Sequence, residues 1–164
     1  MQLTTMTDYG LRLLMYVGTR TDRLCTIAEV AAAHGISEAH LMKVTHRLAL
    51  AGYLETMRGK GGGMRLARPA AAINLGEVVH ELEPDFHLVE CLGGSAACAL
   101  TGRCRFTAVV SGALDAFERE LARWSLADVL PGAMTSAPQA APRAARPPAP
   151  APLRFRRART PARR

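Results

Sequence analysis

The sequence has no apolar run long enough to cross a bilayer. Its best early stretch, LRLLMYVG, is short and contains Arg12, whereas a membrane-spanning helix needs about 20 apolar residues. The stretch also lacks the arrangement of a signal peptide, because its basic residue lies within the apolar run and no small-residue cleavage site follows. We therefore expect a cytoplasmic protein without a membrane partner. In that compartment disulfides are rare, and clustered cysteines favour metal binding or catalysis.

Acidic residues are missing from the last part of the chain. Residues 131–164 contain eight arginines, eight of the ten prolines and no aspartate or glutamate. Such a segment cannot bury enough apolar surface to offset the entropy of ordering, so we predict a disordered tail at 131–164. The remainder divides into residues 1–70, with a net charge of +4, and residues 71–130, with a net charge of −5. The basic half suits a polyanionic partner, and the acidic half does not.

Helix signals in the basic half follow the order of a helix-turn-helix. One helix is predicted to begin at Thr26, which can form a capping box with Glu29. Gly35 suits the left-handed position that ends such a helix. Ser37 then begins the next helix, which is predicted to end at Gly52. Two short helices joined by a tight glycine-containing turn are typical of this motif.

Further helices are predicted on both sides of the motif. Residues 7–20 form a largely buried first helix that starts at Thr7 or Asp8. The segment Ile73–Pro84 is predicted to form a fourth helix that stops before Pro84. Residues 105–130 carry an apolar stripe with helical spacing. A long amphipathic helix near the end of a small domain must bury its stripe, and a partner subunit is the natural place for it.

Two short segments able to form strands, residues 53–57 and 64–66, flank the loop RGKGGG. They predict a β-hairpin, or wing. The fold class is therefore mainly α with a small β-hairpin wing. A winged helix-turn-helix region is expected at residues 1–84 and a cysteine loop with a long dimerisation helix at residues 85–130.

The third helix has two faces. Apolar residues recur on one of them and should face the core, while basic residues recur on a face rotated by about 100°. The leading end of such a helix points at base edges, the later basic residues meet phosphates, and an arginine on a wing tip can enter the minor groove. Three packed helices with ordinary surface charges are the alternative. The predicted contacts to double-stranded DNA are Thr26, Ser37, Glu38, His40, Lys43, Arg47, Arg58 and Lys60.

Three of the four cysteines lie in the segment CLGGSAACALTGRC, at Cys91, Cys98 and Cys104. Thiolates suit zinc, copper(I) and iron–sulfur clusters. Structural zinc sites usually bring their ligands in close C-x2–4-C pairs, which are absent here. The wide spacing favours an iron–sulfur cluster, with one iron position left for another ligand. His80 and His87 precede the segment and stay open as that ligand.

The sequence gives less support to two other functions. A reversible thiol switch among the same cysteines is a second hypothesis. A cluster-carrying enzyme or electron carrier is a third, but no nucleophile–base pair or substrate-pocket motif is found, and RGKGGG lacks the G-x-x-x-x-G-K-[ST] order of a phosphate-binding loop. We therefore expect no enzymatic activity. Cys25, between two helices, is expected to be a small buried hydrophobe.

Several separated motifs resemble one known family in the same order. They are MQLTTMTDYGLRLLMYV, RGKGGGMRLARPAAAINLGEVVHELEP, the three cysteines and SLADVL. Together they resemble the nitric-oxide-sensing repressors of the Rrf2 family of winged-helix transcription regulators, over residues 1–130. The first cysteine gap is one residue longer than in many members. The cluster-assembly regulators of the family carry a histidine where this sequence has Thr107, which favours the nitric oxide sensors.

The resemblance implies a homodimer that binds a palindromic operator and represses genes for nitric oxide detoxification. It implies an iron–sulfur cluster (4Fe-4S or 2Fe-2S) on Cys91, Cys98 and Cys104. It also suggests Asp8 of the partner subunit as the fourth ligand. A carboxylate in the first turn of a helix also gains about 0.3–1 kcal/mol from the helix dipole without any metal, so a purely structural Asp8 stays open. The functional alternative is an iron–sulfur or thiol-based redox-sensing regulator of other genes, those for cluster assembly or oxidative stress.

Overall fold

The computed structural model describes residues 2–93, 98, 100 and 103–132. It is mainly helical with one antiparallel hairpin, as the sequence predicts. The elements, in chain order, are α1 (Thr5–Gly18), α2 (Ile27–His34), α3 (Glu38–Leu50), β1 (Leu54–Met57), β2 (Gly63–Leu66), a 3-10 turn (Ala70–Ala72), α4 (Leu75–Leu82), a second 3-10 turn (Glu90–Gly93), α5 (Arg105–Leu121) and α6 (Leu126–Val129).

The predicted start of the first helix, at Thr7 or Asp8, was two or three residues too late. α1 begins after Thr4, whose side chain accepts a hydrogen bond from the N–H of Thr7 at 3.4 Å. The backbone N–H of Thr4 donates to the Glu83 carboxylate at 2.7 Å. Thr7 is completely buried, and Asp8 therefore lies inside the first turn rather than at its boundary.

The helix-turn-helix is confirmed in its local details. Thr26 accepts from the N–H of Glu29 at 3.2 Å, and the Glu29 carboxylate accepts from the N–H of Thr26 at 2.7 Å. Gly35 ends α2 with φ of 64°, a left-handed conformation that side chains with a Cβ rarely adopt. Ser37 caps α3 by accepting from the N–H of His40 at 3.4 Å. The two helices that form the motif are thus fixed at three of their four ends.

One hydrophobic core joins the helices and the hairpin. α1 contributes Leu13 and Leu14, and the inner face of α3 contributes Leu41, Val44 and Leu48, all almost completely buried. Cys25 is also completely buried, as predicted, and exchanges two backbone hydrogen bonds with Met64 of β2.

The hairpin has a regular register, with Leu54 opposite Leu66 at its base and Met57 opposite Gly63 at its tip. Because a Cβ on Gly62 would collide with the carbonyl oxygen of Met57, the tight approach of the backbone at the tip requires glycine. The wing predicted from the sequence is therefore present.

The expected single helix over residues 105–130 is divided in two. α5 ends at Leu121, the chain turns, and Ser125 starts α6 by donating from both its N–H and its hydroxyl to Asp128, at 2.8 and 2.6 Å. After the turn, Leu126 is completely buried in the core. If α5 continued in a straight line, Leu126 would no longer be buried against the winged region. The break in the helix therefore allows this side chain to enter the core.

The turn after α5 is hydrogen-bonded to the start of α4. The N–H of Leu75 donates to the carbonyl of Trp124 at 2.9 Å, and the N–H of Leu126 donates to the carbonyl of Ile73 at 2.7 Å. Asn74 adds a side-chain hydrogen bond to the carbonyl of Ala122 at 2.7 Å. We call this paired region the α4–α5 clamp. The cysteine segment joins the other ends of the same two helices.

No helix in the described ranges is both long enough and apolar enough to span a membrane. The predicted disordered tail lies outside these ranges from residue 133 onward.

Candidate DNA-binding surface and cysteine segment

The leading end of α3 brings several predicted DNA contacts together. Ser37, Glu38 and His40 are all exposed there. The hydroxyl of Ser37 lies 3.0 Å from Nδ1 of His40, and the imidazole lies near the ring of Tyr9, with 6.2 Å between centroids. These contacts position His40 at the surface while its outer edge stays accessible.

Further along α3 the two predicted basic residues differ. Lys43 is exposed. Arg47 donates from Nη2 to the carbonyl of Glu81 at 2.6 Å, and its Nε lies 3.7 Å from the Glu81 carboxylate. Arg47 is therefore held against the end of α4, and a phosphate would have to compete with Glu81 for its guanidinium. Sequence spacing placed both residues on one face but could not reveal this partner, 34 positions along the chain.

The wing carries its two predicted contacts on an exposed tip. Arg58 and Lys60 both project from the turn between β1 and β2. The base of the hairpin packs on α3, where the hydroxyl of the buried Thr45 contacts the sulfur of Met64 at 3.8 Å. Thr26 is exposed at the start of α2, but its hydroxyl already caps that helix. The base of the wing thus packs on α3, and Lys43, Arg58 and Lys60 are exposed on these two elements.

We expect Lys43→Ala to weaken binding to duplex DNA of any sequence and to reduce the slope of log affinity against log salt by about one, because each phosphate contact releases about one counterion. The measurement is fluorescence anisotropy with non-specific duplex at several salt concentrations. Arg123→Ala, on the opposite acidic half, serves as the matched control. An unchanged slope for Lys43→Ala would contradict a phosphate contact.

The cysteine segment lies between α4 and α5. Cys91 falls in the 3-10 turn Glu90–Gly93, but its side chain lies outside the described part of the chain. Cys98 is exposed, and Cys104 is half-buried at the N-cap position of α5. The segment therefore begins in one short turn and ends at the first turn of the longest helix.

Hydrogen bonding lowers the pKa of the Cys104 thiol below its usual value. The hydroxyl of Thr107 makes the largest contribution, followed by the backbone N–H groups of Thr107 and Phe106. The Cys104 side chain does not form a helix-cap hydrogen bond of the kind that Thr26 and Ser37 form. Both kinds of donor stabilise the thiolate, which is the form of cysteine that binds metals and reacts with oxidants.

A cleft of about 570 Å³ lies beside this segment, between the N-terminus of α1, residues 83–89 and one side of α5. Glu83 lines it and is only 8% exposed. Its Oε1 accepts from Thr4, whereas its buried Oε2 has no hydrogen-bond partner among the described residues. Sequence reasoning passed over Glu83, because an acid before Pro84 gives no sign that it will be buried.

The candidates for a fourth ligand have other contacts in the structure. Asp8 forms an ion pair with Arg12 at 2.9 Å, with both side chains nearly half exposed. His87 lies 3.7 Å from Asp85, and His80 packs against the ring of Phe86 with 5.6 Å between centroids. Within the described residues, no group of three or more His, Cys, Asp or Glu side chains is placed to hold a metal ion.

Known proteins share both the sequence pattern and the fold. Residues 3–132 match the Rrf2 family, described as iron-dependent transcriptional regulators. The oxidised form of CymR from Staphylococcus aureus is 22% identical, with a TM-score of 0.63 over 77% of this chain and 93% of that one. IscR from T. potens is also 22% identical, with a TM-score of 0.61 over 78% and 85%. CymR from B. subtilis, a global cysteine regulator, is 23% identical, with a TM-score of 0.61 over 78% and 95%.

The structural likenesses confirm the winged-helix fold, and the family match accounts for the basic surface on α3 and the wing. Members of this family are transcription regulators rather than enzymes. Because the family match covers residues 3–132, which is most of the chain, the chain belongs to the Rrf2 family of transcriptional regulators.

Proposed function

We propose that the protein is a homodimeric repressor of the NsrR type, which senses nitric oxide through an iron–sulfur cluster and controls genes for nitric oxide detoxification. The observation that carries the proposal is the position of the three cysteines. They occupy the one segment that links α4 of the winged region to α5. A change in that segment is therefore connected by a short chain path to both helices.

The donor set fits such a cluster. Cys91, Cys98 and Cys104 would supply three thiolates, and the hydrogen bonds that lower the pKa of the Cys104 thiol favour the ligating form. Bound iron would supply a centre with which nitric oxide reacts. The half-buried position of Cys104 and the exposure of Cys98 leave the segment accessible to a small diatomic molecule.

Asp8 of the partner subunit is the fourth ligand that we propose. Its ion pair with Arg12 does not argue against this role, because an exposed i,i+4 pair contributes only about 0.3–0.5 kcal/mol. A carboxylate is a weaker ligand for iron than a thiolate. Exchange of the Asp8 oxygen would therefore leave the three sulfur bonds in place.

Dimerisation is supported by the unpartnered side of α5. No residue of this helix is buried, and Phe106 and Val109 are 61% and 68% exposed. Large apolar side chains are costly to leave in water, at about 25 cal/mol per Å². We propose that a second α5 covers them. A palindromic operator would then require the two winged regions to lie about 34–36 Å apart, one helical turn of DNA.

The test is anaerobic purification of the full chain, followed by absorption spectroscopy and operator binding before and after addition of nitric oxide. We expect a brown protein with absorbance near 400 nm that binds a palindromic operator and releases it when nitric oxide is added. Colourless, iron-free protein that binds the operator equally well with and without nitric oxide would contradict the proposal.

A thiol switch is the second candidate. It is favoured by the exposure of Cys98 and by the hydrogen bonds from Thr107 that stabilise the Cys104 thiolate. CymR, with which the chain shares its fold, has been described in an oxidised form and as a cysteine regulator. If the protein is a thiol switch, iron-free reduced protein should bind the operator. An oxidant should then release the operator, and a reductant should restore binding.

A further inference from the structure

A second cleft, of about 300 Å³, is lined by residues far along the chain from Cys91, Cys98 and Cys104. It is formed where the end of α1 meets the segment that leaves β2. Three arginines line it, Arg20, Arg65 and Arg68, together with the hydroxyl-bearing Thr21. Within the described part of the chain, no carboxylate lines this cleft. We call it the arginine cleft.

Aromatic rings hold two of these arginines in place. The guanidinium of Arg20 lies 3.7 Å from the ring centroid of Tyr16, and that of Arg68 lies 4.6 Å from the ring centroid of Tyr53. Stacking occupies the flat face of a guanidinium and leaves its N–H edge able to donate. The rings therefore fix the orientation of both groups before any ligand arrives.

Each of the two stacked groups retains unused donors. Both hydrogen bonds that Arg20 makes to other described residues use Nη1, to the carbonyl of Tyr16 at 3.1 Å and to the hydroxyl of Thr19 at 2.8 Å. The Nε of Arg68 is buried and has no partner among the described residues. A buried donor without a partner is destabilising, so a small shift of Arg68 that brought this N–H to an acceptor in the cleft would remove the penalty.

The third arginine differs. Arg65 pairs across the hairpin with Glu55, at 2.7 Å, and is more than half exposed. Its charge is therefore largely neutralised, and the uncompensated positive charge in the cleft comes from Arg20 and Arg68. Two guanidinium groups held by aromatic rings, in a cleft that no carboxylate of the described residues lines, suit the charge and the hydrogen-bonding needs of an oxoanion.

We propose that the arginine cleft binds a phosphate group. The cleft is lined by Leu66, which pairs with Leu54 at the base of the hairpin. At ~3.3 Å per residue, this pair lies about 10 Å along the strand from the pair at the tip, Met57 and Gly63. It is thus separate from the wing-tip residues Arg58 and Lys60. The phosphate belongs either to a small free anion or to the DNA backbone beside the winged region. The proposal does not depend on whether the cysteines bind iron.

In the experiment, inorganic phosphate is titrated into the full chain in a low-salt chloride buffer, and binding is measured by isothermal titration calorimetry. We expect the wild type to bind phosphate saturably. In Arg68→Gln and Arg20→Gln the affinity for phosphate should fall roughly tenfold or more, because each variant loses one charged hydrogen bond. Arg123→Gln, which removes an exposed arginine paired with Glu120 outside the cleft, should bind as the wild type does. Circular dichroism establishes that each variant is folded, and two cleft variants guard against the failure of one.

A parallel arm distinguishes the source of the phosphate. If inorganic phosphate does not saturate, but the salt slope for non-specific duplex DNA falls by about one in Arg68→Gln and Arg20→Gln alone, the cleft binds the DNA backbone. If folded Arg68→Gln and Arg20→Gln match the wild type toward both probes, or if Arg123→Gln weakens binding as much as they do, the proposal is overturned.

Discussion

Cys98→Ala is expected to give a folded dimer that has lost its operator affinity by about two orders of magnitude. The coupling between an effector site and a distant binding site is typically about 1–3 kcal/mol, and its upper end corresponds to a change of about 150-fold. Cys98 is exposed and belongs to no part of the described core. Its replacement should therefore remove a proposed cluster ligand with little effect on the free energy of unfolding.

The measurement compares iron content, absorbance near 400 nm and operator affinity in anaerobically prepared wild type and variant. Cys25→Ala is the matched control, because Cys25 is completely buried between α2 and β2. That variant should lose some stability but keep its colour and its operator affinity. A colourless Cys98→Ala protein with unchanged operator affinity would contradict the coupling and favour the thiol switch, in which reduced protein binds without metal.

Leu126→Ala is expected to lower the free energy of unfolding by about 2–5 kcal/mol, the range for deletion of a fully buried leucine side chain. Leu126 is completely buried, and its backbone N–H holds the α4–α5 clamp. A loss of this size is a large fraction of the total stability of a small domain, about 5–15 kcal/mol.

Urea unfolding followed by circular dichroism checks this expectation. Val129→Ala, in the same short helix α6 but 36% exposed, is the matched control and should change stability by about 0.5 kcal/mol or less. Equal midpoints for the two variants would show that α6 does not anchor the chain to the winged region.

The elements that could be predicted from the sequence are those specified by neighbours in the chain. The capping box of Thr26 and Glu29, the left-handed Gly35 and the cap at Ser37 each involve residues within four positions of one another. Local patterns of this kind encode both the helix ends and the inner face of α3.

The predictions that failed depended on distant partners. The start of α1 is fixed by Thr4, whose N–H is held by Glu83 from 79 positions away. The end of α5 was misplaced because the apolar stripe continues to Trp124, although the pairing of Ser125 with Asp128 gave a local signal for a new helix. In both regions tertiary contacts outweighed periodicity.

The candidate site divides in the same way. The face of α3, the wing tip and the cysteine spacing were all visible as patterns. The contact of Arg47 with Glu81, the burial of Glu83 and the arginine cleft were not, because each joins residues from separate elements. No residue type at any one of these positions signals such a contact by itself.

The α4–α5 clamp has a geometric consequence for a signal that starts among the cysteines. Since hydrogen bonds hold the clamped end of the helix pair and the cysteine segment joins the other end, a change in the relative direction of the two helices would turn α5 about the clamped end as a pivot. α5 has 17 residues and is therefore about 25 Å long, at ~1.5 Å per residue. A rotation of only about 5° at the pivot displaces the far end by about 2 Å, by the trigonometry of a rod of that length. Small rearrangements near Cys104 would thus change the angle between α5 and α4 of the winged region.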